Sequence, residues 1–189
     1  SSIVPVIPVM AVEEGQVLLR PYWAVIEDDA FYGFLTEEET KGAFWLRNLY
    51  AGEAMNIEDD FGNLYGLEVQ SSKSRWQWEH GVDGRLQIQV SFVVESIVKE
   101  MNVIGNQNGQ EMDVARLEQK QQEQILKEVQ AVWRKNLHME KDFTGLEQEI
   151  YRKDYPYWQQ IQNTVQQVFA DASLQIEIHN TILYTGNKE

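Results

Sequence analysis

Three histidines, His80, His138 and His179, are the side chains best suited to ligating a metal or shuttling a proton. They stand far apart in the chain, in no HExxH or comparable spacing, so they read as ordinary surface or strand-edge histidines and no metal is expected. Carboxylates are plentiful. The consecutive Glu37, Glu38 and Glu39 could supply a glycosidase-type acid pair, but they fall at a helix start, where negative charge is favoured in any case, and capping is the better reading. The serines gather at Ser71, Ser72 and Ser74 with no GxSxG elbow, and neither a phosphate-cradling glycine loop nor a dinucleotide fingerprint occurs. No catalytic residue and no cofactor-binding residue is nominated. The remaining chemistry is aromatic: Trp76 and Trp78 lie on one side of a strand, where such a pair is more often core or a sheet-helix contact; exposed, they are the candidate contact surface, either for a protein or as a platform for a small ligand.

The elements that would position these residues follow from periodicity. Val17 to Ile26 is rich in β-branched and aromatic types and reads as the first arm of a hairpin, with Phe31-Tyr32-Gly33-Phe34 as the second. Thr36 and Glu39 have capping-box spacing, which starts a helix over about 36–48. Tyr65, Leu67 and Val69 alternate, Ser71 to Ser74 reads as a strand connection, and Trp76 and Trp78 belong to the next strand. Gly81-Val82-Asp83-Gly84 supplies a turn, and the clearest strand spans 85–98, where Leu86, Ile88, Val90, Phe92 and Val94 alternate with mostly polar residues.

After a flexible loop at 105–110 the sequence turns helical. Asp113 is a candidate N-cap for a helix over about 113–138, in which Trp133 is expected in the core. Thr144 and Glu147 repeat the capping-box spacing for a short helix through Arg152. Pro156 suits the first turn of a third helix ending near Phe169; Tyr155 and Trp158, flanking it, are expected to seat that helix on the sheet. A final alternating strand covers about 173–184. The resulting expectation is an α+β fold: an antiparallel β-sheet with a long helix and shorter helices packed on one face, forming a single domain over 1–189 with a weak internal division at 105–110.

Composition bounds what such a domain does. Its 189 residues are 43% hydrophobic, enough for a packed core, and its formal charge of -14 repels phosphate backbones, so nucleic acid is not an expected partner. Cysteine is absent, no apolar run reaches the length of a membrane-spanning helix, and the amino end lacks signal-peptide character. The abrupt start at Ser1-Ser2-Ile3-Val4-Pro5 is expected of a piece cut from a longer protein at a domain boundary.

The segment Asp142-Phe143-Thr144-Gly145-Leu146, followed by residues 147–158 with Tyr155-Pro156-Tyr157-Trp158, resembles the Ger(x)C family of spore germination proteins. So do Ala24-Val25, the Leu35-Thr36-Glu37-Glu38-Glu39-Thr40-Lys41-Gly42 step into the first helix, and the closing Thr185-Gly186. The sequence departs from the family's pattern at Trp23, commonly glycine, and at Tyr184, commonly basic. The resemblance implies a lipoprotein C subunit on the outer face of the inner spore membrane, working with membrane-embedded A and B subunits of a nutrient germinant receptor. It further implies that the lipid anchor belongs to a parent protein and lies outside this chain. Its expected function is non-enzymatic, through protein contacts that trigger germination. The alternatives are a module binding a nutrient or cell-wall fragment, which requires a concave aromatic site, and a hydrolase, which requires a cleft with paired carboxylates.

Overall fold

The computed structural model describes residues 6–13, 16–27, 30–81, 84–102 and 113–184. In chain order the elements are β1 (Val6–Glu13), β2 (Gln16–Glu27), β3 (Ala30–Thr36), α1 (Glu37–Leu46), β4 (Ala54–Glu58), β5 (Leu64–His80) and β6 (Leu86–Asn102). Then come α2 (Val114–Met139), α3 (Leu146–Lys153), α4 (Tyr155–Ile161), α5 (Val165–Asp171) and β7 (Ser173–Leu183). They build an α+β fold with a three-stranded sheet, β1-β2-β3, and a four-stranded sheet, β4-β5-β6-β7.

The first sheet is antiparallel throughout, and the hairpin between β2 and β3 is the one its residue types predict. Strand gives way to helix at Thr36. Its hydroxyl accepts from the Glu39 backbone N–H at 3.2 Å while the Glu39 carboxylate accepts from the Thr36 N–H at 2.7 Å, satisfying two donors that a helix start leaves unpaired. α1 then lies against α2 with very little separation. At Gly42 a Cβ would sit 2.1 Å from the Glu128 carbonyl oxygen, so only a residue without a side chain allows this approach.

The second sheet departs from expectation in three places. Ser71 to Ser74 does not connect two strands; β5 runs through it unbroken, with a register shift between Val69 and Ser71. Two of the three serine hydroxyls find partners, Ser71 donating to Glu95 at 3.0 Å and Ser74 to the Leu46 carbonyl at 2.8 Å, while the buried Ser72 hydroxyl has none among the described residues. β4, short and with only Met55 and Ile57 facing inward, has too little alternation to stand out in the sequence. β7 pairs with β6 in parallel, so the sheet is mixed rather than purely antiparallel. The helices α2 to α5 form the crossover that a parallel return requires.

One face of this sheet is covered. Leu86, Ile88, Val90, Phe92 and Val94 of β6 point into the core with Tyr65, Leu67, Val69 and Trp76 of β5. α2 lays Leu117, Ile125, Val129, Val132 and Trp133 over them, a stripe at helical spacing. The same helix is pinned by a buried polar contact: Gln121 donates to the Ser96 hydroxyl at 2.8 Å and accepts from Asn180 of β7 at 2.8 Å. Asp113 caps α2 by accepting from the Arg116 N–H at 3.0 Å.

The later helices are capped differently from the prediction. Gly145, at φ 81°, precedes α3, and Thr144 makes no capping box with Glu147. Asp142 serves instead: one carboxylate oxygen accepts from the Thr144 hydroxyl and the Gly145 N–H, both at 2.8 Å, and the other from the Glu147 N–H at 3.1 Å. The predicted third helix is two, α4 and α5, interrupted at residues 162–164. Pro156 does stand in the first turn of α4, whose start is capped by Asp154 accepting from the Tyr157 N–H at 3.2 Å. The 105–110 loop, part of the turn at 82–83 and the Thr185-Gly186 end fall outside the described residues.

Candidate functional site

The structure separates the sequence-predicted site residues. Trp76 is 5% exposed: opposite Val90 on the covered face of the sheet, it packs in the core, and Trp78 beside it is half-buried. As a contact surface this pair is corrected, because period-two alternation puts both rings on the face that the helices cover. Trp133 and Trp158 are buried in the same apolar cluster. Tyr155, expected in the core, is 50% exposed and lies edge-on to Tyr151 at 5.4 Å, while Pro156 is exposed. Starting the helix at Tyr155, with Pro156 in its first turn, turns residues 157, 158 and 161 inward, so it is Tyr157 and not Tyr155 that is buried.

The histidines do not converge. His80 ends β5, edge-on to the Tyr157 ring at 4.7 Å; His138 is in the last turn of α2; His179 is on β7. Among the described residues no group of three His, Asp or Glu side chains could hold a metal ion.

The acidic run lines a cleft of about 820 Å³ between the start of α1 and the face of α2. Its carboxylates are already engaged. Glu37 pairs with Lys41 at 2.6 Å and Glu38 with Lys127 at 2.6 Å, while Glu39 closes the capping box. Behind them Glu128 is buried, and burial pushes its carboxyl above the usual range although Gln124 and Trp45 each donate to it at 2.7 Å. Both its oxygens are taken up inside the protein.

An exposed aromatic surface lies elsewhere, on β3. This strand is at the edge of its sheet, and Phe31, Tyr32 and Phe34 are 57%, 47% and 48% exposed. A register shift between Val25 and Ile26 places the extra residue at Tyr32 and brings Phe31 and Phe34 together, ring centroids 4.9 Å apart. The Lys141 ammonium stands over the Tyr32 ring at 4.6 Å, tethering the strand to the end of α2. Gly33, at φ 150°, has a backbone that other residues rarely adopt, and a Cβ there would come within 3.3 Å of the Met139 methyl. Sequence reasoning placed these residues in a hairpin and went no further. The available signal was that three aromatics in four positions exceed what one face of a single strand buries.

The family described as spore germination B3/GerAC like, C-terminal, matches residues 23–186. This chain belongs to that family. The match begins at Trp23 and takes in the β3 aromatics, the capped α1, the Asp142 cap and the whole second sheet. A solved structure, "Crystal Structure of the GerBC protein", superimposes with a TM-score of 0.76 at 21% identity, covering 94% of this chain and 56% of that one. At that identity the likeness is one of fold, and this chain spans little more than half the length of the GerBC chain. No curated protein matches the chain. Membership in the GerAC-like family agrees with the resemblance carried by the Leu35-to-Gly42 step, whose glycine is the α1–α2 contact point.

Proposed function

We propose that this domain is the C-subunit part of a nutrient germinant receptor and that it works through protein contacts rather than catalysis, helping to trigger spore germination. The family match supports the germination role, and the observation that carries the contact reading is the exposed Phe31-Tyr32-Phe34 surface on an edge strand. Aromatic side chains left exposed together on an edge strand are the usual anchors of a partner interface. The partners under this reading are the membrane-embedded A and B subunits, with the parent protein lipid-anchored on the outer face of the inner spore membrane. One apolar cluster includes Val25 and Leu35 of the first sheet together with Ile182 of the second, which supports the reading of the domain as one unit.

A pull-down with the soluble extracytoplasmic parts of candidate A and B subunits tests this. Capture is expected for the native chain and lost in Phe31→Ser/Phe34→Ser, with the fold retained in the melting curve because about half of each ring is exposed. Saturable binding of a nutrient germinant, seen by calorimetry, with no subunit captured would replace the contact reading with that of a sensor.

A further inference from the structure

Beyond the partner surface, we propose that the cleft between the end of α1, the middle of β5 and α3 binds a phosphate group. The cleft measures about 470 Å³ and is lined by Arg47, Arg75, Arg152 and Lys153 together with a single carboxylate, Glu149. In a chain of formal charge -14, four cations against one acid make this a local reversal of the field, and an anion repelled elsewhere is drawn here.

The cations differ in how they are held. Arg152 and Lys153 share Glu149, at 3.2 and 2.6 Å, so one of their two charges is neutralised. Arg47 has no ion-pair partner among the described residues: its guanidinium donates to the carbonyls of Phe143 and Asp142 at 2.8 and 2.9 Å, which orient it. Arg75 is exposed and has no ion-pair partner among the described residues.

The strand contributes a donor as well. Ser74 directs its backbone N–H away from β6 to the Asn48 side-chain oxygen. By the period of a strand, Trp76, two residues on, turns its N–H and its C=O the same way, toward the cleft, so the edge offers an acceptor beside the donor. This open edge is short. Asn48 closes one end, and at the other His80 meets Tyr157 of α4 at 4.7 Å. A single anionic group fits where an added β-strand does not. Guanidinium groups approaching from different elements, with a backbone N–H between them, match a tetrahedral oxyanion that accepts from several sides. The overall acidity excludes a polyphosphate backbone, which leaves a small phosphate monoester or the phosphate of a lipid headgroup.

Amide chemical shifts of the 189-residue chain, followed while inorganic phosphate is added at constant ionic strength, test the site. Saturable shifts centred on Arg75, Trp76 and Gln148 are expected, weakened at least about fivefold in Arg75→Gln and abolished in Arg75→Gln/Arg152→Gln. Glu149→Gln should bind more tightly, and Lys99→Gln, whose lysine pairs with Glu68 away from the cleft, should bind as the native chain does. Glycerol phosphate and vesicles of phosphatidylglycerol against phosphatidylcholine distinguish the sources. Sedimentation with phosphatidylglycerol that needs Arg75 and Arg152 assigns a headgroup; glycerol phosphate binding without sedimentation assigns a soluble monoester. Shifts that do not saturate, or that persist unchanged in the double variant, overturn the proposal.

Discussion

The indole Nε1 of Trp45 donates to Oε2 of Glu128 at 2.7 Å, joining α1 to α2 beneath the surface. Trp45 is fully buried and stacks on Tyr50 with ring centroids 3.7 Å apart, while Glu128 is 1% exposed. The bond therefore partners a carboxylate that burial would otherwise leave poorly solvated.

Trp45→Phe retains most of the ring and removes that donor. A loss of about 1–3 kcal/mol in a denaturant melt is expected, the cost of leaving a buried acceptor short of a partner. Glu128→Gln keeps an acceptor without the charge, and its stability near neutral pH should equal or exceed the native value. A large loss there would show that the ionised carboxylate itself is required.

Gly42→Ala introduces a methyl where the Glu128 carbonyl oxygen stands 2.1 Å away and the Val132 side chain 2.9 Å. The first obstacle is backbone, so α1 and α2 must separate. A destabilisation of at least about 3 kcal/mol is expected, although alanine is the better helix former. Thermal unfolding of the variant checks it, and a neutral or stabilised protein would contradict the close α1–α2 packing.

Burial, with the Asp142 carboxylate nearby, pushes the Glu147 carboxyl up to about 7 from an ordinary value of 4.5, although Gln166 donates to it at 2.8 Å. The folded state thus holds its proton more tightly than the unfolded state does. The resulting stability is fully present below pH 4.5 and is lost as pH rises to about 7. Glu147→Gln should remove this decline, so its advantage over the native chain should widen across that window. An NMR titration placing the Glu147 midpoint near 4.5 would refute the assignment.

Trp158 and Tyr155 should separate in mutagenesis as they do in burial. Trp158→Ala is expected to cost about 3–5 kcal/mol, as truncation of a core aromatic does. Tyr155→Ala, which removes a half-exposed ring, should cost about 1 kcal/mol or less. Equal losses would mean that Tyr155 supports the fold through its contact with Tyr151.

What the sequence revealed and what it hid divides along the reach of each interaction. The Thr36–Glu39 box, the Asp113 cap and the alternation of β6 are written in neighbouring residues, and each has its place in the structure. Asp142 displaced Thr144 as the cap of α3 because the bend at Gly145 brings a carboxylate from outside the expected spacing onto the helix start. The direction of β7 depends on how four helices pack, which no local pattern encodes. Trp76 and Trp78 were correctly read as sharing a side; which side faces the helices is a property of the assembled sheet. For the same reason the basic cleft was invisible, since Arg47, Arg75 and Arg152 come from three separate elements.

The parallel pairing of β7 with β6 also orders events in time. Gln87 faces Ser173 and Ile97 faces Leu183, so every rung of this ladder closes a loop containing the whole helical half. Such distant contacts form slowly, because the intervening chain must surrender its freedom before the pairing rewards it. On a ribosome β7 also emerges after everything it pairs with. Until it arrives, the Ile88, Val90 and Phe92 strand has one unsatisfied edge, and the nascent domain is most exposed to misassociation in that interval.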